Sequence, residues 1–307
     1  MRTRYSRRTL FQATAATLVA AAGGAESAAA VKSSAALGPK GTRSEPVKLT
    51  DTQLLTAFVK LRASTDSRLT IGWVDAVNYG FIEGETFPLY RLLAATWQVF
   101  EQRSDSLFEG RLIEIAHFVD MHSGELLHEL TMPRTNQVVE VPHYRAGPTV
   151  TKVAVQLDEK REFAMNPGVT GDPKFFRAGV AIASQHLSQA ERQANTFRVR
   201  QDVGTRVVPA DPATRGFFYR EWTIWSGNWI DIQNPAVHSA PTELNYSSAA
   251  AWRPWMKMEG VTGNTLQSGR GGKAQRAADL PSEHLRLTQQ IHPDLLDDPL
   301  KLLRAAG

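Results

Sequence analysis

The chain has 307 residues, no cysteine and a formal net charge of +4. Without cysteine there can be no disulfides, thiolate nucleophiles, iron–sulfur clusters or cysteine-based zinc sites, and a chain of this size must be held by its apolar core. Arg2, Arg4, Arg7 and Arg8 face only one acid, Glu26, within residues 1–30; the remaining 31 basic and 30 acidic residues nearly cancel, which leaves no electrostatic footprint for nucleic acid.

The first segment reads as an export signal. Arg7-Arg8 precedes the apolar pair Leu10-Phe11, a mildly apolar run covers Ala13–Ala22, and Ala28-Ala29-Ala30 provides a small-x-small cleavage site. That run is shorter than the about 20 residues needed to span a bilayer. The expectation is a twin-arginine signal peptide over 1–30, the twin-arginine translocase as a partner, and a mature protein that is periplasmic or secreted and has no membrane span. Cargo on this route folds before export, which strengthens the expectation of a cofactor or a metal. Residues 31–48 are rich in Ser, Ala, Gly, Pro and Lys and read as a flexible linker. Residues 49–307 read as a single β-rich domain with a helical C-terminal tail.

Thr50-Asp51-Thr52-Gln53 supplies a helix start, and Leu54, Leu55, Phe58, Val59 and Leu61 follow at helical spacing, predicting a helix over 51–62. Strand-like runs come next: 69–74, 78–82, 89–102, 107–119, 126–130, 137–141, 149–157, 175–183, 196–203, 217–225 and 229–232. The Gly- and Arg-rich stretch 264–278 reads as a surface loop, and helices are expected from Pro281-Ser282-Glu283-His284 and around Pro299–Leu303. Many short strands at hairpin spacing predict a mainly β fold: an antiparallel barrel, lipocalin-like in architecture, or a sandwich, with short flanking helices.

Two turns share a template. Asp120–Glu125 has Gly124, and Met132–Gln137 has Asn136, at the position that wants a left-handed backbone. Four-residue loops then pair Asp120 with Glu125 and Met132 with Gln137. This register places Ile113, Ile115, His117 and Val119 on one apolar face, opposite Met132, Leu130, His128 and Leu126. Glu114, Phe118, Asp120, Glu125, Glu129 and Thr131 share the other, largely polar face. Extending the pattern sets His117 across from His128 and brings His143 diagonal to it. Three neutral imidazoles can hold a divalent metal with one position open, or do acid–base chemistry in a cavity. The alternatives are that each histidine is separately hydrogen-bonded, or that Pro142 turns His143 away.

Aromatic segments supply candidate ligand contacts. Trp73 and Tyr79 lie in the first strand-like runs, Arg220 and Trp222 share parity within Phe217–Trp225, and Trp255 lies in the dense patch Trp252–Met258. There is no Gly-x-Ser-x-Gly elbow, no His-Glu-x-x-His and no phosphate-binding loop.

Four motifs, Gly72-Trp73 through Tyr79-Gly80, the Asp120–Glu125 turn, Glu140-Val141-Pro142-His143, and Trp252-Arg253-Pro254-Trp255-Met256-Lys257-Met258, together resemble the bacterial domain-of-unknown-function family 1838. The resemblance runs from about Leu54 to Leu285. It implies an export signal and no particular activity. It also implies that His143 occupies a typical position, whereas His117 and His128 stand where the family has other residues. The expectation from the whole reading is an exported protein that binds a small apolar molecule in a β cavity, with His143, His128 and His117 as bases or metal ligands. A ligand carrier without catalysis and an envelope protein-interaction module are the alternatives.

Overall fold

The computed structural model describes residues 45–154, 160–165, 179–187, 190–210 and 216–305. The export signal, Arg7 and Arg8 included, and residues 31–44 of the expected linker lie outside them, as do parts of the runs 149–157 and 175–183. The end of that linker is structured: Glu45–Pro46 form a short strand β1, and Val47 and Leu49 pack on the core. Helix α1 covers Asp51–Arg62 and opens with a capping box, in which Thr50 Oγ1 accepts from Gln53 N–H while the Gln53 side chain accepts from Thr50 N–H.

The strands are β2 (Thr70–Ile82), β3 (Glu85–Ser104), β4 (Leu107–Val119), β5 (Glu129–Thr131), β6 (Val138–Glu140), β7 (Tyr144–Ala154), β8 (Lys160–Met165), β9 (Gly179–Leu187), β10 (Glu191–Gln193), β11 (Thr196–Pro209), β12 (Phe217–Asn228), β13 (Glu243–Ala250) and β14 (Asn264–Ala274). Among the described residues, β5 and β6 form a small sheet of their own. The other strands share one antiparallel sheet with the path β1-β10-β11-β12-β13-β14-β2-β3-β4-β7; β9 also pairs with β11, and β8 with β9. This sheet curves into a half-barrel, which settles the choice between barrel and sandwich.

Several elements differ from the sequence expectation, and β8, β10 and β13 are strands that it did not include. The runs 69–74 and 78–82 are one strand, β2, with a bulge at Asn78/Tyr79. Trp229–Gln233 is a short helix, α2, because the Asn228 side chain accepts from Ile230 N–H and starts a helical turn in place of a strand. The stretch read as a loop from Asn264 is strand β14. Its glycines serve close packing on β2: a Cβ on Gly271 would lie 2.0 Å from Trp73 O, and one on Gly269 2.2 Å from Asp75 O.

The sheet has an inner and an outer face, set by strand alternation. On β4 the even positions Phe108, Leu112, Glu114, Ala116 and Phe118 face inward, and Ile113, Ile115, His117 and Val119 face outward. Phe100, Phe108, Phe197, Val199, Trp225 and Leu244 close one end of the concave face against Leu55, Phe58 and Leu61 of α1. The opposite end is closed by Leu92, Ala116 and Phe118 against Met132, Val139 and Val141 of the β5–β6 hairpin, and against Trp255, Met256 and Met258. Helices α3 (Ser282–Ile291), α4 (Asp294–Asp297) and α5 (Pro299–Arg304) cover the outer face of β2, β3 and β4, burying Ile71, Trp97, Ile113 and Ile115 under Leu280, Leu295 and Leu303. Two ion-pair groups tie this layer to the sheet: Arg91 with Asp75 at 3.0 Å and Glu283 at 2.9 Å, and Arg145 with Asp294 at 2.8 Å. No described helix is long and apolar enough to cross a membrane.

Candidate functional site

The two predicted turns form as expected. Asp120 N–H bonds Glu125 O and Met132 N–H bonds Gln137 O, both at 2.9 Å, with Gly124 and Asn136 at positive φ. The three-histidine convergence does not follow from them. Pairing of the turn segment along β4 ends at Val119–Leu126, because β7 takes the edge of β4 over Leu107–Ala116, with Tyr144 opposite Ala116. The β5–β6 hairpin therefore peels away and packs over the end of the concave face.

His117 is consequently separated from the expected partner. It lies on the outer face, 1 % exposed, stacked on His292 with ring centroids 5.6 Å apart, and neither of its ring nitrogens has a hydrogen bond. Burial, then the neighbouring His292, His143 and His284, push it down to about 3. His128 is exposed and meets half-buried His143 edge-on at 5.7 Å. Burial and His128 lower His143. Among the described residues no group of three or more His, Cys, Asp or Glu is disposed to hold a metal, so the metal expectation for His117, His128 and His143 finds no site here. The histidines that do gather, His117, His143, His284 and His292, lie between the sheet and the helical layer; among them His284 Nε2 lies 3.1 Å from Val74 O.

The predicted ligand contacts also face elsewhere. Trp73 sits on the outer face edge-on to His284, and Tyr79 pairs with Leu266 on that face. Arg220 and Trp222 lie outward on β12, with the guanidinium 5.5 Å from the indole centroid and Phe218 beside them 66 % exposed. Trp255 is buried between Tyr90 and Phe118 as part of the end closure.

The concave face carries a different constellation. Direct cross-strand partners form one polar row over five strands: Glu221 on β12, Ser248 on β13, Gln267 on β14, Asn78 on β2 and Tyr90 on β3. Next to this row are Tyr219 and Tyr246, and across the hollow are Glu114 on β4 and Tyr144 on β7. Arg253 reaches in from the loop between β13 and β14, electrostatically coupled to both glutamates and to the three tyrosines. Glu114, Tyr144, Tyr219, Glu221 and Tyr246 keep part of their surface accessible although protein surrounds them, as the lining of an internal hollow does.

Electrostatics here favour neutral acids. Burial, reinforced by repulsion from Glu221, raises Glu114 to about 7, against the pull of Arg62 and Arg253. Burial raises Glu221 as well, opposed by its hydrogen bond with Tyr246 and by the same two arginines. Burial pushes the Tyr144, Tyr219 and Tyr246 phenols up, so all three are O–H groups at neutrality. Tyr246 Oη is 3.1 Å from Glu221 Oε1 and 3.0 Å from Gln267 Oε1, and Ser248 Oγ is 2.9 Å from the same Gln267 oxygen. Asn78 and Tyr90 are fully buried, and neither the Asn78 amide nor the Tyr90 hydroxyl has a hydrogen-bond partner. Orphaned buried polar groups are costly and clustered here, which suits a site that meets a polar group of a ligand.

The sequence held one signal for this site. Glu114 shares parity with Phe108, Ala116 and Phe118, an isolated carboxylate in an apolar series. Taken with Glu129 and Thr131 it reads as solvent-facing; the curvature of the sheet turns that face into the interior. Compared with known proteins, the chain matches no family model and no curated protein.

Proposed function

We propose that the concave face binds a small organic molecule and moves protons to and from it, with Glu114 as the group that changes charge. The observation that carries this reading is a carboxyl held near neutrality inside a hollow lined by phenols, a second carboxyl and Arg253. A general acid–base group works best when it titrates near the operating pH. Neutral phenols and Arg253 favour negative charge developing on a ligand oxygen. Together they fit a small carbonyl compound with an acidic neighbouring C–H, from which Glu114 takes the proton while the oxygen gains charge. Apolar ends and a polar middle suit a ligand that is mostly apolar with one carbonyl group.

The export reading belongs to the same proposal: the protein acts in the periplasm or outside the cell, delivered by residues 1–30. So does membership of the group it resembles, whose most distinctive motif here contains Arg253. A reporter fused behind residues 1–30 is expected to be exported, and to stay in the cytoplasm when Arg7 and Arg8 are both changed to Lys.

The test of the chemistry is a panel of small ketones and enones, screened by thermal shift and by deuterium uptake from heavy water. A hit is expected to raise the melting temperature of the wild type and of Glu114→Gln alike, while Glu114→Gln slows exchange by roughly 10²- to 10⁴-fold, the usual worth of a positioned acid–base group. Exchange unaffected by Glu114→Gln would overturn the assignment. Binding without exchange would make the protein a carrier.

A further inference from the structure

Over β2, β3 and β4 the outer face of the sheet lies under α3–α5, but over β11 and β12 it carries exposed apolar side chains. Phe218 is 66 % exposed, Ile224 39 % and Val208 37 %, and Trp222 between the first two is half-buried. The strand register sets cations beside these tips. Arg206 lies directly across from Phe218, and Arg200 directly across from Ile224. Arg220 is one outward position along β12 from Phe218, with its guanidinium 5.5 Å from the Trp222 indole centroid. On β13 the partners of Arg220, Trp222 and Ile224 are Ala249, Ser247 and Asn245, all uncharged. The acids on the outward positions of these three strands are Asp202, paired with Arg200 at 3.1 Å, and Glu243 at the start of β13. With Arg198 the arginines number four against two acids, so this face is positive on a chain whose residues beyond 30 nearly balance.

We infer that this face docks on an anionic phospholipid surface, with Phe218, Trp222 and Ile224 entering the headgroup layer and Arg200, Arg206 and Arg220 binding lipid phosphates. Shape, charge and chemistry each favour that occupant. The face is the convex side of a half-barrel. A rigid partner touches a convex surface along a ridge only, whereas a fluid headgroup layer deforms around it. A second copy of this chain would set arginines against arginines in a self-complementary contact. Anionic lipids supply the opposite charge and attract each arginine near the surface. Aromatic rings settle at headgroup level, and the guanidinium fork matches phosphate oxygens while its stem lies along apolar neighbours.

The patch adjoins the interior site. Ala251 N–H donates to Phe218 O at 3.0 Å, at the start of the loop that carries Arg253. Docking therefore holds that loop beside the bilayer, where mostly apolar molecules concentrate. The docking itself does not depend on the acid–base reading of the hollow, and its test uses no ligand of that hollow.

Because the chain has no cysteine, a single label can be placed at a chosen residue. Ser247→Cys, exposed and directly across from Trp222, carries an environment-sensitive fluorophore and leaves every apolar tip and arginine in place. Gln290→Cys, exposed on α3, carries the same label as the control. The full chain is titrated with vesicles of phosphatidylcholine alone and of phosphatidylcholine mixed with phosphatidylglycerol. With the mixed vesicles the emission at 247 is expected to shift to the blue while that at 290 stays in place; phosphatidylcholine alone moves neither. Phe218→Ser is expected to raise the lipid concentration for half the shift by about tenfold. Arg206→Gln is expected to raise it by about fivefold, and added salt to raise it further. Phe218 and Arg206 are both exposed, so these variants keep the fold. Vesicle binding that leaves the 247 label unmoved assigns the contact to another part of the chain, residues 1–30 included, and overturns the inference. A shift equal on both vesicles and indifferent to Arg206→Gln also overturns it, as does no binding to either. A 247 shift that grows with protein concentration and needs no vesicle makes a second copy the occupant and overturns it equally.

Discussion

Glu114 shows how a single side chain can oppose stability while preparing chemistry. Its ordinary value is 4.5, and burial with Glu221 nearby raises it to about 7 in the folded protein. The folded state therefore holds the proton more tightly than the unfolded chain. The corresponding stability is fully present below pH 4.5 and is lost as pH rises through 7. Above pH 7 the ionised carboxylate costs the fold up to about 3 kcal/mol, from 1.36 kcal/mol per unit. Glu114→Gln removes the charge and keeps the shape. Denaturant unfolding is expected to show the variant more stable than the wild type at pH 8 by a large part of that amount, with the gain fading towards pH 5. An unchanged difference across that range would mean Glu114 is not held near neutrality.

At the scale of elements, α1 determines whether the hollow has a floor. Phe58 is fully buried on α1, edge-on to Trp225 with ring centroids 6.0 Å apart. The helix is tied in by lysines as well: Lys60 Nζ donates to Ile232 O at 3.0 Å and Asn234 O at 2.7 Å, and Lys273 Nζ donates to Lys60 O and Ala63 O at the end of α1. These ammonium groups serve carbonyls that a helix end leaves without partners. Phe58→Ala is expected to cost about 3–5 kcal/mol, the usual range for a buried aromatic. Phe218→Ala, on the exposed side of β12, is expected to change stability by less than about 0.5 kcal/mol. Chemical denaturation of the two variants checks the contrast, and equal effects would mean that α1 does not close the core.

For the whole molecule, the layer of α3–α5 over the outer face makes stability sensitive to acid. Burial holds His117 down at about 3 and His292 at about 4, with Arg145 and His143 adding to the depression of His292 and Asp294 opposing it. Both imidazoles are neutral in the fold and protonate near 6.5 when unfolded. Their stabilising effect is present above pH 6.5 and is lost as pH falls through about 4 and then about 3. Two stacked rings cannot both take a proton without repulsion. Hydrogen exchange of the α3–α5 amides is expected to accelerate between pH 6.5 and pH 4 relative to those of α1. In His292→Leu this acid sensitivity is expected to be reduced. Uniform behaviour of both regions would mean that the histidine stack does not govern the layer.

What the sequence by itself determined is what short-range physics decides. Thr50 and Gln53 start α1, helical spacing carries it to Arg62, and Gly124 and Asn136 turn the two hairpins, because caps, periodicity and positive-φ turns involve neighbours only. The β-rich class follows from the same local signals. β13 escaped them because Ser247, Ser248, Ala249 and Ala250 carry little strand preference, and β14 escaped because its glycines answer to β2, a distant segment. Alternation separated the two faces of β4 correctly but could not say which was inside. Both faces are covered, one by α1 and the β5–β6 hairpin, the other by α3–α5. The bend of the whole sheet turns Glu114 into the hollow and leaves His117 under the helices. That bend, and the loop that carries Arg253 to Glu114 and Glu221, arise from contacts between strands far apart in the chain, so only the tertiary structure decided where the site lies.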